Sequence, residues 1–227
     1  MDSILSSEDY DIYDLLFIQE LPWRQVRSAP SSSSMEGEDI IGAPLNMAWG
    51  CIIRASEVEN PPCIAVWFNN HIKWLRPGYR RDLINHRDVI ILSLGLGADT
   101  VLMANVYSGA AHTAINLLHD RMLELPKLRL MCGDFNIRSD HRDPQGPAVN
   151  IYADQLEAIA EHMSLSLSIT EEAGPTHFPY AEELRPTVID LMFIPEEEAL
   201  VTHHSIIPEE RGTSDHAPLV ITLPAPR

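Results

Sequence analysis

The chain has 227 residues, 45% of them hydrophobic, and a formal net charge of −17. Its length suits one large domain spanning residues 1–227 with a proper core, and no apolar run approaches the roughly 20 residues of a membrane helix. The acidic balance excludes a general nucleic-acid coat protein, whose affinity rests on Lys and Arg neutralising phosphates; it leaves a nuclease open, because local charge matters more than the total.

In chain order, Ser3–Tyr10 predicts a short helix and Leu15–Glu20 a brief strand that ends in a carboxylate. Arg27–Asp39, with four consecutive serines at Ser31–Ser34, predicts a mobile loop. Cys51–Ala55 and Ile64–Phe68 read as strands, and Val89–Leu94 with Thr100–Tyr107 as a strand pair joined through Gly95, Gly97 and Asp99. Ala111–Leu125 places Ala111, Ala114, Ile115, Leu118, Met122 and Leu125 on one helical face, and Pro126 ends it. A buried strand, Leu128–Cys132, follows, then a helix over Asn150–Met163. Thr187–Ile194 and His216–Leu223 are further strands, with Glu196–Ile207 adding one or more between them. Strands outnumber helices without strict alternation, which predicts an α/β domain with mixed or antiparallel sheets. Cys51, Cys63 and Cys132 have no ligand spacing. They read as reduced small hydrophobes of an intracellular protein, the nucleus included. Met1-Asp2-Ser3 lacks the basic start and apolar stretch of a secretion signal.

Polar groups inside or at the end of apolar runs carry the chemistry. Asp134 and Asn136 lie just past the strand Leu128–Cys132; in an extended chain their spacing of two points both side chains to one face, with Phe135 turned to the core. An Asx-type turn closing the strand is the bland alternative. Asp190 is the one polar residue of Val188–Ile194, and a buried carboxylate needs a partner, commonly an imidazole it can orient. Ser214-Asp215-His216 supplies that imidazole at a strand entrance. Glu20 at a strand end suits Mg²⁺, which takes one or two carboxylates plus water and substrate phosphate. Tyr107 likewise ends a strand and can offer its hydroxyl to a phosphate. From Asn60 to Arg81 there is no acid, and Lys73, Arg76, Arg80 and Arg81 alternate with Trp67, Phe68, Trp74 and Tyr79. Such a stretch suits a phosphate backbone and stacked bases, or is a loop and strand edge whose aromatics belong to the core. The remaining histidines, His71, His112, His162, His203 and His204 among them, read as structural or solvent-facing.

The ordered set Gln19-Glu20, Asn105-Val106-Tyr107, Gly133-Asp134-Phe135-Asn136, Ile189-Asp190 and Ser214-Asp215-His216 resembles the endonuclease/exonuclease/phosphatase superfamily. Pro22-Trp23 after Glu20, Pro175-Thr176-His177 and Gly212-Thr213 are similar to the apurinic-like endonuclease domain of non-LTR retrotransposons. The resemblance implies a four-layer sandwich of two mixed β-sheets flanked by helices and a Mg²⁺-dependent DNA endonuclease of retroelement origin, with Mn²⁺ as an alternative ion. DNA is the implied partner, with no membrane and no obligate protein partner. In this resemblance Glu20 binds the metal, and Asp215 sits near it or orients His216. Asp190 holds His216, Asp134 activates water or assists the leaving oxygen, and Asn136 and Tyr107 position the phosphate.

Two departures from that pattern stand out. Relatives begin with a core strand ending in an Asn that shares the metal site; here only Met1–Asp14 precede the Leu15–Glu20 strand, so the first core strand is expected to be lacking. Ala110 stands where many relatives carry an Asn. These departures point to an impaired enzyme, an incomplete gene product or an inert remnant, and the end at Pro224–Arg227 leaves no room for a reverse transcriptase. A phosphatase or phosphodiesterase of the same fold, acting on a small molecule or lipid headgroup, is the competing enzymatic reading.

Overall fold

The computed structural model describes residues 2–21, 24–27, 39–42, 46–54, 61–142, 149–168, 174–181 and 183–224. The loop expected over Arg27–Asp39 lies, but for its two end residues, outside them.

A short helix α1 (Asp2–Leu5) leads to β1 (Leu15–Gln19), and β2 (Arg24–Arg27) pairs with β3 (Asp39–Gly42) as a separate hairpin. Next come β4 (Trp49–Ile52), β5 (Ile64–Asn69), the two-residue β6 (Gly78–Tyr79), β7 (Val89–Leu94) and β8 (Val101–Tyr107). Helix α2 (Thr113–Arg121) crosses to β9 (Leu130–Asp134), and α3 (Ile151–Met163) precedes β10 (Leu165–Leu167). The described chain closes with β11 (Asp190–Pro195), β12 (His203–Ile206) and β13 (Leu219–Thr222). The prediction over Thr187–Ile194 starts too early: Thr187 and His177 form an isolated antiparallel bridge, and the ladder begins only at Asp190. His216 likewise bridges His177 three residues before its expected strand forms.

The larger sheet has the order β10-β11-β9-β8-β7-β6. All its pairs are antiparallel except β8–β9, the pair that α2 joins. Its central strands alternate between two cores. Ile91 and Met131 face α2 and α3 beside Leu118, Phe135, Leu156 and Ile159. Ile90, Leu92, Leu130 and Cys132 face the smaller sheet, whose Ile64 and Val66 meet them. Burial on both faces explains why these strands read as unbroken apolar runs. The smaller sheet, β1-β5-β4, is antiparallel throughout. Its outer face carries Trp49, Ala65 and Trp67, packed against Leu5 and partly buried Tyr10 and Tyr13. Helices, large sheet, small sheet and the N-terminal segment thus form four layers of an α/β sandwich.

Helix α3 starts where the Asn150 side chain accepts a hydrogen bond from the Tyr152 amide and stops at Ser164 in the left-handed region. Among the described residues β1 has a ladder partner only on its β5 side, and β12 and β13 pair only with each other. Among the described residues, one edge of β1 and the outer edges of the β12–β13 pair therefore have no ladder partner. The three thiols are free, and burial pushes Cys51 and Cys132 up to about 12. No described helix is long and apolar enough to cross a membrane.

Candidate active site

The ends of β1 and β9, the start of β11 and the segment Ser214–His216 converge on one cavity of about 180 Å³. Its lining is Gln19, Glu20, Asp134, Asp190, Ser214, Asp215 and His216. Five of the residues singled out in the sequence therefore meet there, although they are spread over nearly 200 positions of chain.

Gly133 makes the approach of β9 possible. Its φ is +144°, and a Cβ there would lie 1.8 Å from the Val106 carbonyl oxygen on the parallel neighbour strand. Asp134, one residue on, faces Asp190 across the antiparallel β9–β11 pair. Both carboxylates are almost fully buried. Burial, then the charge of Asp190, raise the Asp134 carboxyl to about 7, against the opposing pull of His216 and the Asn136 amide. Asn136 does not continue the strand. It turns into the left-handed region at φ +50°, its amide N–H donates to Asp134 Oδ1 at 3.0 Å, and its Nδ2 donates to Oδ2 at 2.9 Å. The Asx-type turn is thus the arrangement formed, in place of an extended pair sharing one face: Asn136 braces Asp134 and is not among the residues that line the cavity. Phe135 is fully buried, as its place in the pattern implied.

His216 presents Nδ1 to both oxygens of Asp190, at 3.0 and 2.9 Å. Burial opposes a charge on this imidazole, yet the hydrogen bond and charge of Asp190, with Asp134 and Asp215 beyond, outweigh it and raise the pKa to about 9. Asp190 is therefore the residue that orients His216. Asp215 instead faces His177, whose Nε2 is 3.6 Å from its Oδ2. Across the cavity Glu20 adopts φ +49°, and the Tyr107 hydroxyl donates a hydrogen bond to Glu20 Oε1. Burial first, then that carboxylate, push the Tyr107 hydroxyl well above its usual range.

The basic stretch lies elsewhere. Lys73 belongs to a short 3-10 turn that Arg76 ends, Arg80 is paired with Asp82, and Arg81 lies over the Tyr79 ring at 5.1 Å. None of the four lines the cavity. Trp67 is wholly buried while Trp74 is 75% exposed, so the aromatics divide between core and surface.

Two supporting residues had no assigned role in the sequence. Asn105 is fully buried on β8 and links the sheets: it accepts from Gln19 Nε2 at 2.6 Å and donates to the carbonyls of Ile18 and Ala65, directly paired on β1 and β5. The buried Thr176 hydroxyl accepts from the amides of both Ile189 and Asp190, at 3.1 and 3.0 Å. An apolar-flanked Asn in a strand was the signal available for the first; the second stood in the Pro175-Thr176-His177 run that the resemblance marked, without a role.

Residues 2–216 match the model of the endonuclease/exonuclease/phosphatase family, and the chain belongs to that family. No curated protein sequence matches it. Among solved structures, the AP endonuclease LMAP from Leishmania major has a TM-score of 0.67 at 11% identity, covering 99% of this chain and 83% of its own. The endonuclease domain of TRAS1, a telomere-specific non-LTR retrotransposon, has a TM-score of 0.63 at 14% identity, covering 80% and 83%. TDP2 from D. rerio, complexed with a single-strand DNA product, has a TM-score of 0.52 at 9% identity, covering 93% and 86%. At these identities the likeness is one of fold.

Proposed function

We propose that this chain hydrolyses phosphodiester bonds in DNA with Mg²⁺, as a nicking endonuclease of the retroelement type. The observation that carries the reading is the cavity itself, which sets a His–Asp pair beside Asp134 and opposite Glu20. Its carboxylates are hard oxygen donors of the kind Mg²⁺ or Mn²⁺ takes. Glu20, with Asp215, would hold the ion, which supplies charge neutralisation to the phosphoryl oxygens. Asp134 takes the proton of the attacking water, because its carboxyl is poised near neutrality and fixed by Asn136. His216, kept cationic by Asp190, donates to a phosphoryl oxygen as negative charge develops. The Tyr107 hydroxyl donates its one proton to Glu20, and it would turn that proton to the phosphate once an ion takes the carboxylate. Similarity in fold to TDP2 bound to a single-strand DNA product, and to the endonucleases LMAP and TRAS1, supports DNA as the substrate class.

The net charge of −17 favours a second reading, hydrolysis of a small phosphorylated molecule or lipid headgroup, since it opposes a polyanion. The test is nicking of supercoiled plasmid, compared with abasic duplex and inositol phosphates. Wild-type protein nicks DNA only with Mg²⁺, and His216→Ala or Glu20→Ala lowers the rate by about 100-fold or more. Equal nicking by both variants refutes the site; cleavage of inositol phosphates alone replaces DNA with the smaller substrate.

A further inference from the structure

His177 lies outside every role assigned above, yet it touches the site through His216 and Asp215. Its ring stacks against that of His216, with centroids 4.8 Å apart. One nitrogen of His177, one of His216 and one oxygen of Asp215 all fall within 4.8 Å of one another. These three side chains are 22%, 26% and 34% exposed, so the group is shielded but open to solvent.

The other ring nitrogens are already committed. Nδ1 of His177 is 3.3 Å from the Thr187 hydroxyl, and Nδ1 of His216 rests on Asp190. That leaves Nε2 on each ring as the available donor atom. A ligating imidazole characteristically has its second nitrogen tied to a carboxylate, carbonyl or hydroxyl, which fixes ring orientation and raises basicity. The backbone is fixed as well. His177 exchanges hydrogen bonds with Thr187, Phe178 N–H donates to the Asp215 carbonyl, and Ala217 N–H donates to the Thr176 carbonyl. The donors are thus held on a small antiparallel scaffold and need little reorganisation to meet an ion.

We infer that His177, Asp215 and His216 form a binding site for a zinc-class divalent transition metal, which shares Asp215 with the carboxylate site proposed for Mg²⁺ and differs from it in its two imidazoles. Two imidazoles and one carboxylate, with positions left for water, are a donor set for Zn²⁺, Co²⁺ or Fe²⁺; Mg²⁺ prefers oxygen. The surrounding Asp134 and Asp190 favour a cation here, and the ion displaces the proton that His216 otherwise carries. Binding itself goes beyond the proposed function and does not depend on it. If that function holds, the ion takes the His216 nitrogen that faces the phosphate, so zinc acts as an inhibitor.

The test is calorimetric titration of untagged, chelator-treated protein with Zn²⁺ at pH 7.5, with Co²⁺ visible absorption as a second readout. Wild type binds one Zn²⁺ in the micromolar range or tighter while 5 mM Mg²⁺, at roughly the level a weak Mg²⁺ site needs, is present. His177→Asn keeps the nitrogen-side contact with Thr187 but deletes Nε2. It weakens Zn²⁺ binding by about 100-fold, since loss of even an outer partner costs about 10- to 100-fold. Asp215→Asn does the same, and both lose the Co²⁺ bands of low-coordinate ligation. His71→Ala, removing an exposed imidazole paired with Asp14, changes nothing. Undiminished binding in folded His177→Asn, or only millimolar binding by wild type, overturns the site. Loss on Asp134→Asn with retention in His177→Asn moves the ion to the Asp134, Asp190 and His216 group and also overturns it.

Discussion

Thr176 shows how one hydroxyl can set the backbone of a buried carboxylate at the candidate site. The amides of Ile189 and Asp190 lie just at the start of the β11 ladder, and the buried Thr176 Oγ1 accepts from both. Asp190 is thereby fixed by its backbone, and its carboxylate in turn fixes His216. Replacing the hydroxyl by a methyl of the same shape leaves two buried N–H groups without acceptors, each costing about 1–3 kcal/mol. Thr176→Val is therefore expected to lose about 2–6 kcal/mol in urea denaturation, and its nicking rate should fall through kcat with KM little changed. Thr176→Ser restores both; a Val variant as stable as wild type removes this role. Asp190 and His216 were legible in the sequence because a charge inside an apolar run must find a partner. Thr176 was not, since its partners lie 13 and 14 residues ahead and a Thr before a loop carries no pattern. The resemblance carried by Pro175-Thr176-His177 placed His177 near the site without a role; its meeting with Asp215 and His216 depends on the isolated bridges, which no spacing rule encodes.

At the scale of elements, β9 decides whether the site exists. It is the strand paired parallel to β8 on one side and antiparallel to β11 on the other, and it delivers Asp134 at its end. Gly133 is what lets it lie so close to β8: an added methyl would overlap the Val106 carbonyl oxygen and disfavour the φ of +144°. Gly133→Ala is expected to cost about 3 kcal/mol or more. The checks are the denaturation midpoint and loss of the near-ultraviolet signal; wild-type stability would show that β8 and β9 part without penalty. The long strands and both main helices were readable from periodicity because each has a continuous core-facing pattern. The β2–β3 hairpin, β6 and β10 have four, two and three residues per strand, too few for alternation to register. The basic stretch left two readings open because Trp67 and Trp74 look alike in sequence, while the pleat of β5 sends the first into the core and a 3-10 turn leaves the second exposed.

At the scale of the molecule, the cavity is assembled from both sheets and from the segment before β13, so its acids join layers that elsewhere meet through apolar packing and the Asn105 hydrogen bonds. Glu20, Asp134, Asp190 and Asp215 bring four carboxylates to one space of about 180 Å³. Their mutual repulsion disfavours the folded chain, and a cation between them relieves it only in that state. An ion that binds the native and not the unfolded chain stabilises by RT ln(1 + [L]/Kd), about 1.4 kcal/mol at ten times Kd. For a chain of this length that corresponds to a rise in Tm of about 3–5 °C. Thermal unfolding with 10 mM MgCl₂, roughly ten times a millimolar Kd, against NaCl of equal ionic strength and against a chelator should show that rise. Glu20→Gln and Asp215→Asn should each reduce it, because they remove donors the ion needs. They should also raise the Tm of the metal-free protein slightly, because they remove repulsion. The opposite signs are what separate a bound ion from general screening, which would shift wild type and variants alike and would be matched by NaCl. No Mg²⁺-specific shift in wild type would mean that the four acids stay together without a cation, and the metal-dependent reading of the site would fall with it.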